Sequence, residues 1–153
     1  MIKAILKATF VAGSLDICAA FAQAYLSNGV TPDIVLQYIA SGIFGKEAYS
    51  GAVKYILFGL AVHFFIVLMC AVTYFLSYTK VSFLKKSIFL SSFLIALIAW
   101  VVTTMVIIPL SKIQSSPFNL EKAIIAIAIL YFCVGIPISL FAKSYFNKQG
   151  SIN

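Results

Sequence analysis

Two ionisable side chains stand out because each lies well inside a long apolar stretch of the sequence. Asp16 falls within the run from Ile5 to Leu26, and His63 falls within the run from Tyr55 to Tyr78. Leaving cysteine and tyrosine aside, they are the only acid and base more than one helical turn from the ends of the chain's apolar runs. Charge at the middle of a bilayer is costly, so such residues usually face protein and find partners.

The two side chains are predicted to lie at similar depths. Asp16 comes ten residues before Leu26, which is about 15 Å along a helix, and His63 comes eight residues after Tyr55, which is about 12 Å. The two helices that carry them follow one another in the chain and therefore run antiparallel. We expect the carboxyl group and the imidazole to be able to meet inside the bundle.

Two interpretations of this intramembrane polar pair remain open from the sequence. In the functional one, Asp16 and His63 form a proton-responsive pair that lines a cavity, and Gln23, Thr73 and Thr103 extend a polar path. In the structural one, a neutral acid and a neutral imidazole satisfy each other or a backbone carbonyl, and they fix the register of the helices.

The sequence contains little that would support metal binding or catalysis. Asp16, His63 and Cys70 could be imagined as metal ligands, but they lack the spacing of a metal motif. We find no nucleophile with its base, no phosphate-binding glycine loop and no pair of carboxylates. We therefore expect no catalytic residue, no metal and no cofactor.

The elements that position the pair follow from composition. The chain has 153 residues, of which 63% are hydrophobic and 10% are charged. A soluble domain carries about a quarter charged residues, so lipid must solvate much of this apolar surface. The sequence predicts a single all-α domain, 1–153, that forms a membrane bundle. Its four transmembrane helices are predicted at 5–26, 55–78, 87–108 and 120–142, with a short extra helix at 32–41 in the first outer loop.

Small and polar residues recur at helical spacing in each predicted span. Thr9, Asp16 and Gln23 lie seven residues apart, so they share one face of the first helix. Small residues allow close helix contact, and we expect the small faces to point into the bundle. In the other spans these faces comprise Gly59, His63, Ile66, Cys70, Thr73 and Ser77, then Ser92, Ala96, Ala99 and Thr103, and finally Ala128, Tyr131, Gly135, Ser139 and Ala142.

Proline and glycine mark breaks in the predicted helices. Pro137 lies within the fourth span and should kink it, because proline lacks a backbone N–H. The outer-loop helix is expected to end near Ser41, where Gly42, Gly45 and Gly51 break it, and Thr31 is expected to cap its start. The connection at 110–122 contains Ser115, Ser116 and Pro117, and the polar tail at 143–153 is expected to fray.

The lysines predict the orientation of the chain. Seven lie on the side that the two termini share, and four lie on the other side. Lysine-rich segments remain in the cytoplasm, so both termini are expected there. The chain has no arginine, and its lysines flank apolar runs, so we expect the lipid bilayer as its partner and no nucleic acid.

Three short motifs carry a resemblance to a known family. They are Gly59-Leu60-Ala61-Val62-His63-Phe64, then Ile108-Pro109-Leu110, and then Ser116-Pro117-Phe118-Asn119-Leu120. Over roughly residues 8 to 142 the chain resembles the YagU-like small inner-membrane proteins of bacteria, although its first loop is short and it lacks their longer polar tail. The resemblance implies a four-span protein of the bacterial inner membrane. It implies no catalytic or ligand residues. His63 is the position that it most supports as more than a packing residue.

Three functional hypotheses follow from the sequence. The first is a non-enzymatic multi-pass membrane protein that acts through assembly or through contact with lipid or a partner, which includes a homo-oligomer or another membrane protein. The second is a small proton-linked transporter or channel that uses Asp16 and His63. The third is a membrane enzyme that acts at the outer face.

Overall fold

The computed structural model describes residues 1–113 and 118–150 as a bundle of helices. No strand occurs in these two ranges, which confirms the all-α fold. Ser115, Ser116 and Pro117 lie outside them. The helices are α1 (Ile2–Asn28), α2 (Pro32–Phe44), α3 (Val53–Tyr78), α4 (Ser82–Lys86), α5 (Ile88–Leu110) and α6 (Leu120–Gln149).

Four of these helices, α1, α3, α5 and α6, are long and apolar enough to cross a membrane. Only 11% to 33% of the most apolar window of each helix is buried within the protein. The remaining surface carries exposed side chains such as Phe10, Phe65 and Phe89. An apolar surface of this extent requires lipid as its solvent, so the four-span prediction is confirmed.

Glycines bring the backbones of neighbouring helices into direct contact. A Cβ atom on Gly59 of α3 would lie 2.0 Å from the carbonyl oxygen of Leu36 in α2. A Cβ atom on Gly135 of α6 would lie 2.4 Å from the carbonyl oxygen of Ser92 in α5, where the Ser92 hydroxyl also donates to Ser139 at 3.1 Å. Gly59, Gly135, Ser92 and Ser139, which belong to the predicted small faces, are therefore points of helix contact.

The described residues form two hydrophobic clusters: the larger lies in the half of the bundle nearest the termini, and a smaller one, around Ala40, Ala48 and Tyr55, lies on the side of the connecting loops. In the half nearest the termini, the Tyr74 hydroxyl bonds to Ser91 at 3.0 Å and ties α3 to α5. The apolar side chains around this bond leave that half of the bundle tightly packed. They include Ile5, Ala8, Ala12, Val67, Ala71, Phe75, Ile95, Val134 and Ile138.

Wide π-helical turns interrupt α5 at Thr103–Ile107 and α6 at Tyr131–Gly135. In each one, the N–H of the next residue bonds to the carbonyl five residues earlier. A proline follows at once, Pro109 in α5 and Pro137 in α6. Helices accommodate the missing proline donor through such local changes of turn. The bend itself at Pro137 stays a prediction.

The outer-loop helix α2 is longer than predicted. It continues past Gly42 to Phe44 and is followed by a 3₁₀ turn, Gly45–Tyr49, so the expected break at Gly42 was wrong. The Gly42 carbonyl accepts the Lys112 N–H at 2.9 Å, and this contact from the end of α5 stabilises the extra turn. Gly45 ends the helix with φ at +64°, which favours glycine. Thr31 is at the cap position but makes no side-chain cap bond.

The end of α6 is also longer than predicted. The tail was expected to fray from Lys143, but the helix continues to Gln149. Its Phe146 ring stacks on Tyr78 of α3, with ring centroids 4.9 Å apart, and also contacts Phe75. These aromatic contacts with a distant helix stabilise the last turns, and local polarity gave no sign of them.

Candidate functional site

A cavity of about 590 Å³ lies between α1, α3, α5 and α6, on the side of the connecting loops. Tyr38 and Ile39 place α2 over its edge. Its volume falls in the range of small-molecule sites, about 300–1,000 Å³. Polar side chains contribute to a largely apolar lining. They include Asp16, His63, Cys70, Thr103, Thr104, Asn119 and Lys122.

His63 holds α1 and α3 together. Its Nε2 lies 2.9 Å from the carbonyl oxygen of Gly13 in α1, and since a carbonyl only accepts, the imidazole N–H donates. The imidazole is buried, with 9% of its surface exposed. A Cβ atom on Gly13 would lie 2.6 Å from the Phe64 ring, so the small residue is what lets the two helices approach. The bonded partner of His63 is therefore a backbone carbonyl of α1.

Asp16 is placed differently. Its side chain is half-buried and lines the cavity, near enough to His63 for an electrostatic interaction. Within residues 1–113 and 118–150, its carboxyl group has no hydrogen bond and no ion pair. The structure thus brings the predicted pair to one site without a hydrogen bond between the two side chains. The Asp16 carboxyl group can therefore bond to a ligand that enters the cavity.

The predicted supporting residues divide between the cavity and other surfaces. Thr103 lines the cavity at the wide turn of α5. Thr9 is buried below it, and its Oγ1 has no hydrogen-bond partner in the described part of the chain. Gln23 bonds to Ser27 on its own helix at 3.4 Å, and Thr73 lines a neighbouring groove. A continuous polar path through all of them is not formed.

Three residues at the cavity edge were not predicted as site residues. Lys122 and Asn119 come from the start of α6, where the Asn119 Oδ1 accepts the Lys122 backbone N–H at 3.0 Å. Tyr38 comes from α2. Partial burial raises the pKa of its hydroxyl, and the nearby Tyr49 raises it further by a smaller amount. Tyr38 therefore remains a neutral hydrogen-bond donor over a wide pH range. From the sequence, Asn119 is a helix start, Lys122 is a loop charge, and Tyr38 is an apolar position of the outer-loop helix.

Trp100 also lines the cavity, with its ring edge-on to Phe118 at 6.5 Å between centroids. Its position near the middle of a predicted span was the signal in the sequence, because tryptophan in membrane proteins favours the interface. A tryptophan at this depth is expected to pack within the protein or to have a partner there for its N–H. The ring packs at the cavity wall.

An apolar groove of about 520 Å³ runs between α3 and α5 on the other side of the cavity wall. Four side chains line both spaces, so the wall here is a single layer. We call this layer the seam; it consists of Ile66, Cys70, Ala99 and Thr103. The groove continues towards α4 along apolar residues that include Met69, Leu84, Leu94, Ile95, Ile98 and Val102.

The four spans and the cavity between them define a multi-pass helical membrane protein. No protein-family model matches the chain, and neither a curated protein nor a solved structure matches it. In the parts of the chain that the structure describes, no group of three His, Cys, Asp or Glu side chains could hold a metal ion. The cavity can offer a ligand one carboxyl group at depth, one lysine at its edge and an apolar wall.

Proposed function

We propose that this is a non-enzymatic membrane protein that binds a ligand carrying an ammonium group, with Asp16 as its charged anchor. The observation that carries this proposal is the Asp16 carboxyl group, which faces a cavity without a hydrogen bond or ion pair from any described residue. An acid within a bilayer bundle is costly unless it is paired. A cation in the cavity supplies that pair.

The shape of the bundle favours binding over free passage. The cavity occupies the half near the connecting loops, while the half near the termini is packed with apolar side chains such as Val67, Ala71 and Ile138. A channel needs a polar path across both halves. A cavity that reaches only part of the way is suited to holding a ligand.

A proton-linked transporter is the second candidate. The position of Asp16 and His63 at one cavity favours it, because intramembrane acids and imidazoles serve as proton relays. Such a protein would need a second state in which the packed half opens.

An enzyme acting at the outer face is less well supported. Asp33 and Glu121 lie in the first turns of α2 and α6, where acids complement the helix dipole. Glu47 accepts the hydroxyl of Tyr55. These acids therefore have structural uses, and we propose none of them as catalytic.

We further propose that the membrane is a bacterial inner membrane with both termini in the cytoplasm. The resemblance to YagU-like proteins and the lysine distribution support this location. The lysines on the side of the termini are Lys3, Lys7, Lys80, Lys85, Lys86, Lys143 and Lys148, and those on the other side are Lys46, Lys54, Lys112 and Lys122.

The orientation gives a direct prediction. A green fluorescent protein fused after Asn153 should fluoresce in bacteria, because it folds in the cytoplasm, and alkaline phosphatase fused there should stay inactive. Fusion of the same two reporters after Gly51, in the first outer loop, should give the opposite pattern. An active phosphatase at Asn153 would contradict the orientation.

Substitution of Asp16 by asparagine should weaken binding of ethanolamine about 10- to 100-fold. A hydrogen bond to a charged group is worth about 1.5–3 kcal/mol, and asparagine keeps the size of the side chain while removing its charge. Binding is measured by calorimetry on detergent-purified protein and by the fluorescence of Trp100, the only tryptophan.

The matched control for this experiment is Asp33→Asn, which removes an exposed acid at the start of α2. It should bind ethanolamine like the wild type. If the wild type does not bind ethanolamine, or if Asp16→Asn binds it equally well, the proposed function is wrong.

A further inference from the structure

We infer that the ligand is an amphiphile, a zwitterionic aminophospholipid whose head group occupies the cavity while its chain lies in the groove between α3 and α5. This inference rests on the proposed function and deepens it. It adds the class of ligand and the route of entry, which is sideways from the bilayer through the seam.

The route follows from the thin wall between the two spaces. The seam consists of one layer of side chains, of which Cys70, Ala99 and Thr103 are small. The close glycine contacts of the described residues lie elsewhere: Gly13 of α1 approaches α3, Gly59 of α3 approaches α2, and Gly135 of α6 approaches α5. Among the described residues no glycine holds the backbones of α3 and α5 in close contact at the seam, and the Tyr74–Ser91 bond joins these helices nearer the termini, so we place the opening at the seam.

The two spaces lie at different depths, and this difference sets the direction of the ligand. The cavity reaches the loop side at Asn119 and Lys122, whereas the groove continues towards the other side at Val81 and Leu84. A lipid in the leaflet on the loop side has its head group at that surface and its chain directed inward. Its polar and apolar parts therefore match the cavity and the groove in the same order.

The charges in the cavity select the head group. Lys122 at the edge and Asp16 deeper inside have opposite signs, and no ion pair joins them in the structure as described. A phosphate group is attracted to the lysine amine and an ammonium group to the carboxylate. A head group that carries both charges satisfies both side chains at once, whereas a purely anionic head group leaves Asp16 unpaired and repelled.

The groove has the properties that an acyl chain requires. Its lining is apolar apart from hydroxyl and thiol groups such as Thr73, Ser77 and Cys70. Its volume of about 520 Å³ is comparable to that of the cavity. Burial of each methylene contributes about 0.8 kcal/mol, so a chain in the groove should raise affinity steeply with its length.

The test compares three probes on the detergent-purified full chain by native mass spectrometry and calorimetry. They are ethanolamine, lysophosphatidylethanolamine with chains of increasing length, and lysophosphatidylglycerol with the same chains. We expect the aminophospholipid to bind at least tenfold more tightly than ethanolamine. We also expect it to bind at least tenfold more tightly than the anionic lipid of equal chain length, and this second preference should disappear in Asp16→Asn.

A substitution in the groove tests the place of the chain. Thr73→Phe should fill the groove and reduce the ratio of lysophosphatidylethanolamine to ethanolamine affinity at least tenfold. Ala61→Phe is the matched control, since Ala61 is exposed on the same helix and lines neither space. This control should leave the ratio unchanged. The chain-length series on the wild type tests the same point if Thr73→Phe fails to fold.

Each outcome decides between the claims. If ethanolamine binds through Asp16 but longer chains do not raise affinity, or if Thr73→Phe leaves the ratio unchanged, the chain site is wrong and the proposed function stands. Equal binding of the anionic lipid overturns the choice of head group. If the wild type does not bind ethanolamine, the proposed function is wrong, and the inference that rests on it falls as well.

Discussion

Replacement of Gly59 by alanine is expected to destabilise the protein by about 3 kcal/mol, at the upper end of the usual cost of overpacking. The added Cβ would lie 2.0 Å from the Leu36 carbonyl oxygen and 2.9 Å from its carbon, and both are backbone atoms that no side-chain rotation can move. The helices α2 and α3 must separate to accept it. Thermal unfolding in detergent, followed by circular dichroism, measures the loss.

Gly42→Ala is the matched control for this prediction, because both glycines lie in helices of the same region. At Gly42 the nearest atom to an added Cβ is 3.5 Å away, which is an ordinary contact. Alanine is the better helix former by up to about 1 kcal/mol, so this variant should be as stable as the wild type or slightly more so. An equal loss in both variants would show that the close contact of α2 with α3 does not matter.

Replacement of His63 by alanine is expected to cost about 2 kcal/mol of stability. Hydrogen bonds between membrane helices average about 0.6 kcal/mol and reach about 1.7 kcal/mol, and the space left by the buried ring adds to that loss. His63→Gln keeps a donor near the Gly13 carbonyl and should recover part of the stability. The measurement is the same thermal unfolding in detergent.

Asp16→Asn provides the contrast for His63. Since the Asp16 carboxyl has no bonded partner within the described residues, its replacement should leave thermal stability near that of the wild type while it changes ligand binding. If His63→Ala is fully stable, or if Asp16→Asn is equally destabilised, the division of the pair into a structural imidazole and a functional acid is wrong.

The elements could be predicted from the sequence because they depend on local signals. Four apolar runs, separated by charged and glycine-containing connections, gave four spans with bounds close to those observed. The contact faces followed from small residues at helical spacing, and Gly13, Gly59 and Gly135 all mark close approaches. Such patterns are visible without knowledge of the partner helix.

The details of the site could not be predicted because they depend on atoms distant in sequence. Depth and spacing brought Asp16 and His63 to one place, but no sequence signal shows that the imidazole bonds to a backbone carbonyl instead. Lys122 reaches the cavity only because of where α6 begins relative to α5. In the same way, Phe146 extends α6 through its contact with Tyr78, more than sixty residues earlier in the chain.

The wide turn of α5 determines which side chains succeed one another along the cavity wall. In a regular helix, the residue that stands above Thr103 would be three or four positions later, whereas here the N–H of Ile108 reaches the Thr103 carbonyl. The additional residue turns everything beyond it by roughly 100° in angular phase. Thr104, within the wide turn, and Ile108, beyond it, line the cavity, whereas Val106 is exposed. The direction in which the last turn of α5 presents its side chains is therefore set by one inserted residue. It does not depend on the spacing of polar residues earlier in the helix.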